Sequence, residues 1–376
     1  MSLRWDIFCK VIDNYGDIGV SWRLARQLAA EHDLDVRLWL DDVTAFCRIY
    51  PEGDPTLSVQ RHCGVAIHHW SNLWRATDAA DVVIEAFACE LPTQYIAAMA
   101  ARERVPLWLN LEYLSAEGWV EGCHGLPSLQ GNNLKKYFFF PGFSPQTGGL
   151  LRESGLILRR QEFQGNAQAR TDFLLRIGVE AHEDTRLISL FCYENSALST
   201  WLDGLVAEGA SHILVPEGRI IPALTSYIGE EVLQAGRIYR RGALTIQVLP
   251  FLSQDDYDLL LWACDFNIVR GEDSFVRAQW AGRPFIWHIY PQEEDAHLIK
   301  LDAFLARYCE GLSEDLGAEL SACWRAWNQC ENSPIDWPRL IGARPELAGH
   351  AEHWCGQQSA LENLAYSLVQ FHQNWL

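Results

Sequence analysis

Twice along its length this sequence alternates short apolar runs with segments of helical spacing, and that alternation constrains the fold more than any other feature. Residues 5–12 read as a strand, followed by turn residues Asp13-Asn14-Tyr15-Gly16-Asp17 and an Ala-rich helix over 18–32 in which Val20, Leu24 and Leu28 recur every four residues. Strands follow at 35–40 (DVRLWL), 81–86 (DVVIEA), 106–111 (PLWLNL) and 137–140, with a helix over 91–102 begun near Pro92. A second set places strands at 186–192 (RLISLFC), 212–216 (HILVP), 245–249, 266–269 and 284–288 (PFIWH), and helices at 199–208, 255–264, 275–280 and 297–309. Consecutive strands joined through helices must pair in parallel, and the crossover helices then cover both sheet faces. The expected fold is α/β: two Rossmann-like, doubly wound domains facing one another across a cleft. Domain one is expected at 1–150 and domain two at 180–358. The polar segment 150–186, with helical character only over 171–177, reads as the junction. A last helix over about 359–376, with Leu361, Leu364, Leu368 and Phe371 on one stripe, is available to pack back on the first domain.

Composition narrows the function classes. The 376 residues carry 49 acidic and 30 basic side chains, a net charge of −19, which argues against a general nucleic-acid binder needing a basic face. The N-terminus enters an apolar run broken by Lys10 and Asp13, unlike a signal peptide, and no run of about 18 apolar residues predicts a membrane span. Eleven cysteines are scattered without a Cys-x-x-Cys pair, as expected of reduced thiols in a cytoplasmic protein rather than of zinc ligands. Most of the 16 tryptophans, among them Trp22, Trp39, Trp108, Trp262 and Trp280, fall inside elements and read as core.

In open α/β sheets ligands bind beyond the carboxyl ends of strands, so the loops there are where chemistry is expected. Asp13 and Asp17 flank a turn between the first strand and first helix. The loop lacks the G-x-G-x-x-G spacing of a dinucleotide site, and its acids would repel a pyrophosphate. It suits holding a cation or removing a proton; capping the turn or helix is the competing reading. In Arg270-Gly271-Glu272-Asp273-Ser274 a strand ends and a helix begins. Arg270 adds charge, Gly271 allows close approach, and Ser274 with free helix N–H groups can bind a diphosphate, although an ordinary helix cap with Glu272 or Asp273 has the same pattern. Phe191, Tyr193 and Phe251 lie at strand ends with Gln254 nearby, either an aromatic slot for a planar base or core; Tyr290 and the acidic loop 292–295 could close it. Motifs of serine hydrolases, zinc proteases and Walker loops are missing from the sequence. Asp41-Asp42, adjacent at a strand end, read as turn residues and not as a metal motif.

The stretch D-F-N-I-V-R-G-E-D-S-F-V-R-A-Q-W-A-G-R-P-F-I-W-H resembles the donor half of GT-B glycosyltransferases, many of which carry a ribose-binding Glu where Arg277 stands here. More specifically, V-I-D-N-Y-G-D-I-G-V-S-W-R-L-A-R-Q-L at 11–28, F-C-Y-E-N at 191–195 and R-G-E-D-S-F at 270–275 resemble the protein-arginine rhamnosyltransferases of bacterial elongation factor P, essentially end to end. That resemblance implies transfer of L-rhamnose from dTDP-β-L-rhamnose to an arginine of elongation factor P with inversion, without a metal or other cofactor. It implies Asp13, Asp17 and Glu272 as catalytic residues, and Phe191, Tyr193, Phe251, Gln254, Arg270, Glu272, Asp273 and Ser274 as donor-binding residues. The rival readings are another GT-B enzyme with a different nucleotide sugar or acceptor, and a non-enzymatic protein binding a nucleotide or a translation factor. A nicotinamide dehydrogenase ranks behind both for want of the glycine fingerprint. Partners beyond the acceptor protein and the nucleotide sugar, nucleic acid or membrane included, are not expected.

Overall fold

A computed structural model describes the chain except residues 1–2, 12–14, 72–73, 75–76, 183, 330–339, 341–342 and 376. The described residues form two compact units, one comprising 1–154 with 358–376 and the other 155–357. The chain has the GT-B fold class, mixed α/β with two mainly parallel sheets.

The first unit is built on strands β1 (Arg4–Cys9), β2 (Asp35–Leu40), β3 (Val59–His62), β4 (Val65–His69), β5 (Val82–Ala86), β6 (Leu107–Leu111), β7 (Pro127–Leu129) and β8 (Lys135–Phe139). Their order in the sheet is β3-β4-β2-β1-β5-β6-β8-β7. Because β1 pairs in parallel with both β2 and β5, Cys9 lies opposite Leu40 and Ala86, and three strand ends deliver their loops to one edge. The β1 interior is buried on both faces, as a central parallel strand requires: Trp5, Ile7, Phe8 and Cys9 are inaccessible to solvent. The edges are antiparallel hairpins that the sequence reading did not find. The turn between β3 and β4 uses Cys63 and Gly64, both at positive φ, the geometry of a two-residue hairpin whose twist matches its strands.

The C-terminal helix Leu364–Trp375 belongs to this unit. Phe371 packs edge-on against Tyr137 and Phe139, His372 against Trp5, and the Leu364 amide donates to the Leu150 carbonyl at 3.0 Å. Gln27, on helix Gly16–His32, holds this region from within: its Nε2 donates to the Arg152 carbonyl at 2.7 Å and to Asn363 Oδ1 at 3.3 Å. Gly149, at φ +71, leaves no room for a Cβ, which would run into the Glu362 carbonyl.

The second unit carries β9 (Arg186–Leu190), β10 (Ser211–Pro216), β11 (Ile238–Arg241), β12 (Leu244–Leu249), β13 (Phe266–Arg270) and β14 (Phe285–His288), ordered β11-β12-β10-β9-β13-β14. The chain leaves β9 toward β10 and later returns to its other side as β13, so the direction of winding reverses between β9 and β13. Loops diverge at such a point and leave a crevice. The segment read from sequence as a largely irregular junction contains two helices, Leu156–Gln164 and Ala167–Arg176. Their buried faces are narrow, reaching only Leu156 and Arg160 on the first and Phe173 and Leu174 on the second, so their hydrophobic period was faint. Trp22, Trp39, Trp108, Trp262 and Trp280 are all buried, as expected. Cysteines among the described residues are free thiols, mostly buried, with Cys63 exposed. No described helix is long and apolar enough to cross a membrane.

Candidate active site

In the first unit the functional loop follows β1. Asp13 lies outside the described residues. Asp17 occupies the first turn of helix Gly16–His32, where a negative side chain is favoured by the helix dipole, and is 3% exposed. The residue preceding this helix is Tyr15, whose side chain makes no capping hydrogen bond. Asp17 itself stands within the first turn and not at the cap position. Its Oδ1 instead accepts a hydrogen bond from Tyr113 Oη at 3.3 Å. The start of the loop is fastened by Asp41 after β2, whose Oδ1 accepts from the Val11 amide at 2.9 Å, while Asp42 caps helix Val43–Ile49 through the Ala45 amide. Both residues of that acidic pair are therefore structural, as their adjacency at a strand end predicted. Burial pushes the Cys9 thiol well up, with the charges of Asp17 and Asp41 adding to the effect, so Cys9 is an inert neighbour rather than a nucleophile.

The turn after β5 is the strained part of this edge. Phe87, Ala88 and Glu90 all lie at positive φ without being glycine, at a cost of about 1–3 kcal/mol each. The buried Glu85 carboxylate holds the turn, accepting the Glu90 amide at 2.9 Å on Oε1 and Trp108 Nε1 and Lys136 Nζ at 3.1 Å each on Oε2. Phe87 thereby stacks on the Tyr113 ring, centroids 4.5 Å apart and planes at 21°.

In the second unit the expected residues gather at the winding reversal. Arg270 ends β13, and its guanidinium carbon lies 4.5 Å from the centre of the Phe191 ring and 4.9 Å from that of Tyr193, both just beyond β9. Arg270 is 6% exposed, and among the described residues no acceptor meets its Nη1. A buried guanidinium stacked on aromatic faces with a donor unspent is built to receive an anion. Gly271, at φ +64, turns the chain into helix Asp273–Trp280, and its carbonyl accepts from Trp287 Nε1 at 2.8 Å. Glu272 precedes that helix without capping it. Asp273 Oδ2 accepts from Gln254 Nε2 at 3.1 Å, joining the starts of helices Asp273–Trp280 and Gln254–Ala263. Ser274 is buried against Tyr257, whose ring meets Phe191 edge-on at 5.5 Å. Phe251, half-buried, lies two residues beyond β12. Tyr290 is exposed and packs edge-on against Tyr193.

Sequence reasoning missed four members of this pocket. Tyr257 supports Phe191 from the helix below. His288, opposite Arg270 in the strand register, meets Tyr193 edge-on at 5.2 Å. Burial, and then the neighbouring Arg270 charge, push His288 down to about 3, so its imidazole is neutral at ordinary pH. Gly218, after β10, brings its backbone so close to Phe191 that an added Cβ would stand 3.1 Å from the ring. The following Arg219 reaches the Tyr193 ring at 6.0 Å. Gly218 and Arg219 follow the close of β10, where position after a strand end was the available signal, whereas Tyr257 lies on a helix and His288 within β14.

Arg277 has a structural role. It is 2% exposed and grips Asp258 with Nε–Oδ1 at 2.9 Å and Nη2–Oδ2 at 2.5 Å, tying helix Asp273–Trp280 to helix Gln254–Ala263. Among the described residues no group of three His, Cys, Asp or Glu side chains is arranged to hold a metal.

Residues 5–373 match the family model described as Elongation-Factor P (EF-P) rhamnosyltransferase EarP. The chain belongs to the EarP family. It is 57% identical to the protein-arginine rhamnosyltransferase of Pseudomonas putida over 100% of both chains, and 55% identical to that of Pseudomonas aeruginosa over 99% of both. A solved structure described as the structural basis for EarP-mediated arginine glycosylation of translation elongation factor EF-P is 42% identical, covers 100% of both chains and superposes with a TM-score of 0.73. Beyond the EarP family the fold alone is shared: MurG of Acinetobacter baumannii, 14% identical, covers 100% of both chains with a TM-score of 0.52. Membership makes this EarP-family chain a glycosyltransferase of the rhamnosyltransferase kind.

Proposed function

We propose that this protein transfers L-rhamnose from dTDP-β-L-rhamnose to an arginine side chain of elongation factor P, inverting the anomeric centre. The observation that carries the reading is Arg270: a buried cation fixed on Phe191 and Tyr193 beside the start of helix Asp273–Trp280, with its Nη1 unmet among the described residues. It suits the diphosphate of a nucleotide sugar, with Ser274 and the helix N–H groups as further donors and the aromatic slot of Phe191, Tyr193 and Phe251 for the base. Gln254, Glu272 and Asp273 line the same pocket as polar partners for sugar hydroxyls. The acceptor side is supported by the names of the relatives, which act on protein arginine, and by the carboxylate at Asp17.

The chemistry assigns roles. A guanidinium is protonated near neutral pH and has no lone pair to offer. As the bond from its nitrogen to the sugar C1 forms, the bond from C1 to the diphosphate oxygen breaks, and the nitrogen must lose a proton. Asp17 takes that proton, and Asp13 orients the guanidinium. The leaving dTDP carries its negative charge onto Arg270, Ser274 and the helix N-terminus. Attack opposite the leaving group inverts C1, and no proton need be supplied to a diphosphate, which leaves as an anion.

Incubation of the purified protein with elongation factor P and dTDP-β-L-rhamnose tests the reading by intact mass. A gain of one deoxyhexose, localised to arginine, is expected. Asp17→Asn should bind the donor normally and keep only a small residual rate of transfer. Donor binding without any mass change on elongation factor P, or transfer only from another nucleotide sugar, would overturn the assignment.

A further inference from the structure

The strained turn after β5 and the tyrosine after β6 form one physical chain that ends on Asp17. The buried carboxylate of Glu85 accepts the Glu90 amide and so closes a turn in which Phe87, Ala88 and Glu90 are left-handed. Cys89 within that turn donates its thiol to the Phe8 carbonyl on β1 at 3.3 Å. The turn presents Phe87 as a platform under Tyr113, and Tyr113 Oη reaches Asp17 Oδ1. A side chain that merely fills space could be presented by a relaxed turn. Three non-glycine residues in the left-handed region are retained only where the surroundings over-determine them, and such strain concentrates at functional sites.

We propose that Tyr113 is a positioning residue for the transfer reaction: its hydroxyl orients the Asp17 carboxylate and keeps it ionised, and Phe87 fixes the tyrosine ring that carries this hydroxyl. The inference rests on Asp17 being the proton acceptor. A phenol that donates to one carboxylate oxygen stabilises the ionised form and restricts rotation about the bond to the carboxyl group. Both effects matter for an arginine nucleophile. The acceptor carboxylate must be empty of a proton before the nitrogen attacks, and it must point at a nitrogen whose own proton leaves only as the new bond forms. Among the described titratable groups, the Cys9 thiol on β1 is within electrostatic reach of Asp17, and Asp41 after β2 and Cys89 after β5 act on the same thiol. Burial holds both thiols far up, so neither supplies charge at working pH.

The test uses the full chain with elongation factor P and dTDP-β-L-rhamnose. Tyr113→Phe keeps the ring on Phe87 and deletes only the donor hydroxyl, so its melting temperature and donor affinity should match wild type. Its kcat should fall about tenfold, and the acid limb of its kcat/KM profile should move up by about one pH unit, the size expected for one hydrogen bond to a charged group. Phe87→Leu should move both in the same direction. Adding Tyr113→Phe to Asp17→Asn should cost nothing further, because the hydroxyl acts through the carboxylate. A Tyr113→Phe enzyme with unchanged kcat and an unmoved acid limb overturns the proposal, as does a further tenfold loss in the double variant. Near-normal turnover by Asp17→Asn alone overturns the reading beneath it, and that result is distinguishable because Tyr113→Phe is then compared against an active background.

Discussion

Removing the carboxylate of Asp258 should unfold the second unit more readily, and donor binding should weaken as a consequence. Asp258 and Arg277 have side chains 8% and 2% exposed and share two short hydrogen bonds. Asp258→Ala leaves the guanidinium buried without its main counter-charge, a change that costs about 3–5 kcal/mol in comparable buried pairs. In a unit of this size each kcal/mol corresponds to roughly 2–4 °C, so a fall of about 6–20 °C in its melting temperature is expected by calorimetry. The paired replacement Asp258→Leu with Arg277→Met removes both charges together and should recover most of that loss. Titration with dTDP-rhamnose separates structure from contact. If Arg277 acts only by tying helix Asp273–Trp280 to helix Gln254–Ala263, the paired variant binds donor nearly as well as wild type. A paired variant of wild-type stability with strongly impaired donor affinity would refute the structural role and put Arg277 on the nucleotide. An Asp258→Ala variant melting within a few degrees of wild type would refute the energetic argument itself.

Other perturbations probe separate parts of the molecule. Arg270→Lys keeps the charge but loses the flat guanidinium that stacks on Phe191 and Tyr193, and calorimetric titration should show donor affinity down about tenfold or more with little change in melting. Gly149→Ala forces a side chain into a left-handed position against the Glu362 carbonyl, so denaturant unfolding should show a loss above the ~1–2 kcal/mol of backbone strain alone. For His288 the folded value, about 3, lies below the unfolded 6.5. The unfolded chain therefore binds the extra proton in that window, and stability falls as pH drops from about 6.5 toward 3. The loss is about 2–3 kcal/mol by pH 4.5. His288→Gln should flatten the slope of stability against pH by about one proton, and an unchanged slope would contradict the assignment.

The sequence displayed the parallel cores of both units because a central strand such as RWDIFC or FNIVR carries apolar residues on both faces and ends at turn residues. It concealed the edges. Strand β3, VQRH, has one buried residue and no alternating stripe, and the helices between 156 and 176 bury too little to show a period. The proposed donor pocket was legible as far as it follows strand ends, since Phe191, Tyr193 and Arg270 each sit one to three residues from the close of β9 or at the close of β13. His288 and Tyr257 were not, because their place in the pocket depends on strand register and on which helix face turns inward. On the proposed acceptor side Asp17 stood out through its spacing from Asp13. Tyr113 and Phe87 belong to different loops, and only the packing of β5 beside β6 brings their rings together.

The return of the C-terminal helix to the first unit sets an order of events during synthesis. Trp5 is made long before His372, the residue it packs against, while residues 155–357 form a contiguous unit that can close on its own contacts. A ribosome therefore releases the second unit ready to fold while the first still lacks its own wall. Until residues 364–375 emerge, the Tyr137 and Phe139 surfaces that Phe371 covers remain open to water. A truncation before this helix would consequently leave the second unit intact and strike the unit that carries Asp17. Limited proteolysis of such a fragment should spare 155–357 and digest the N-terminal 154 residues.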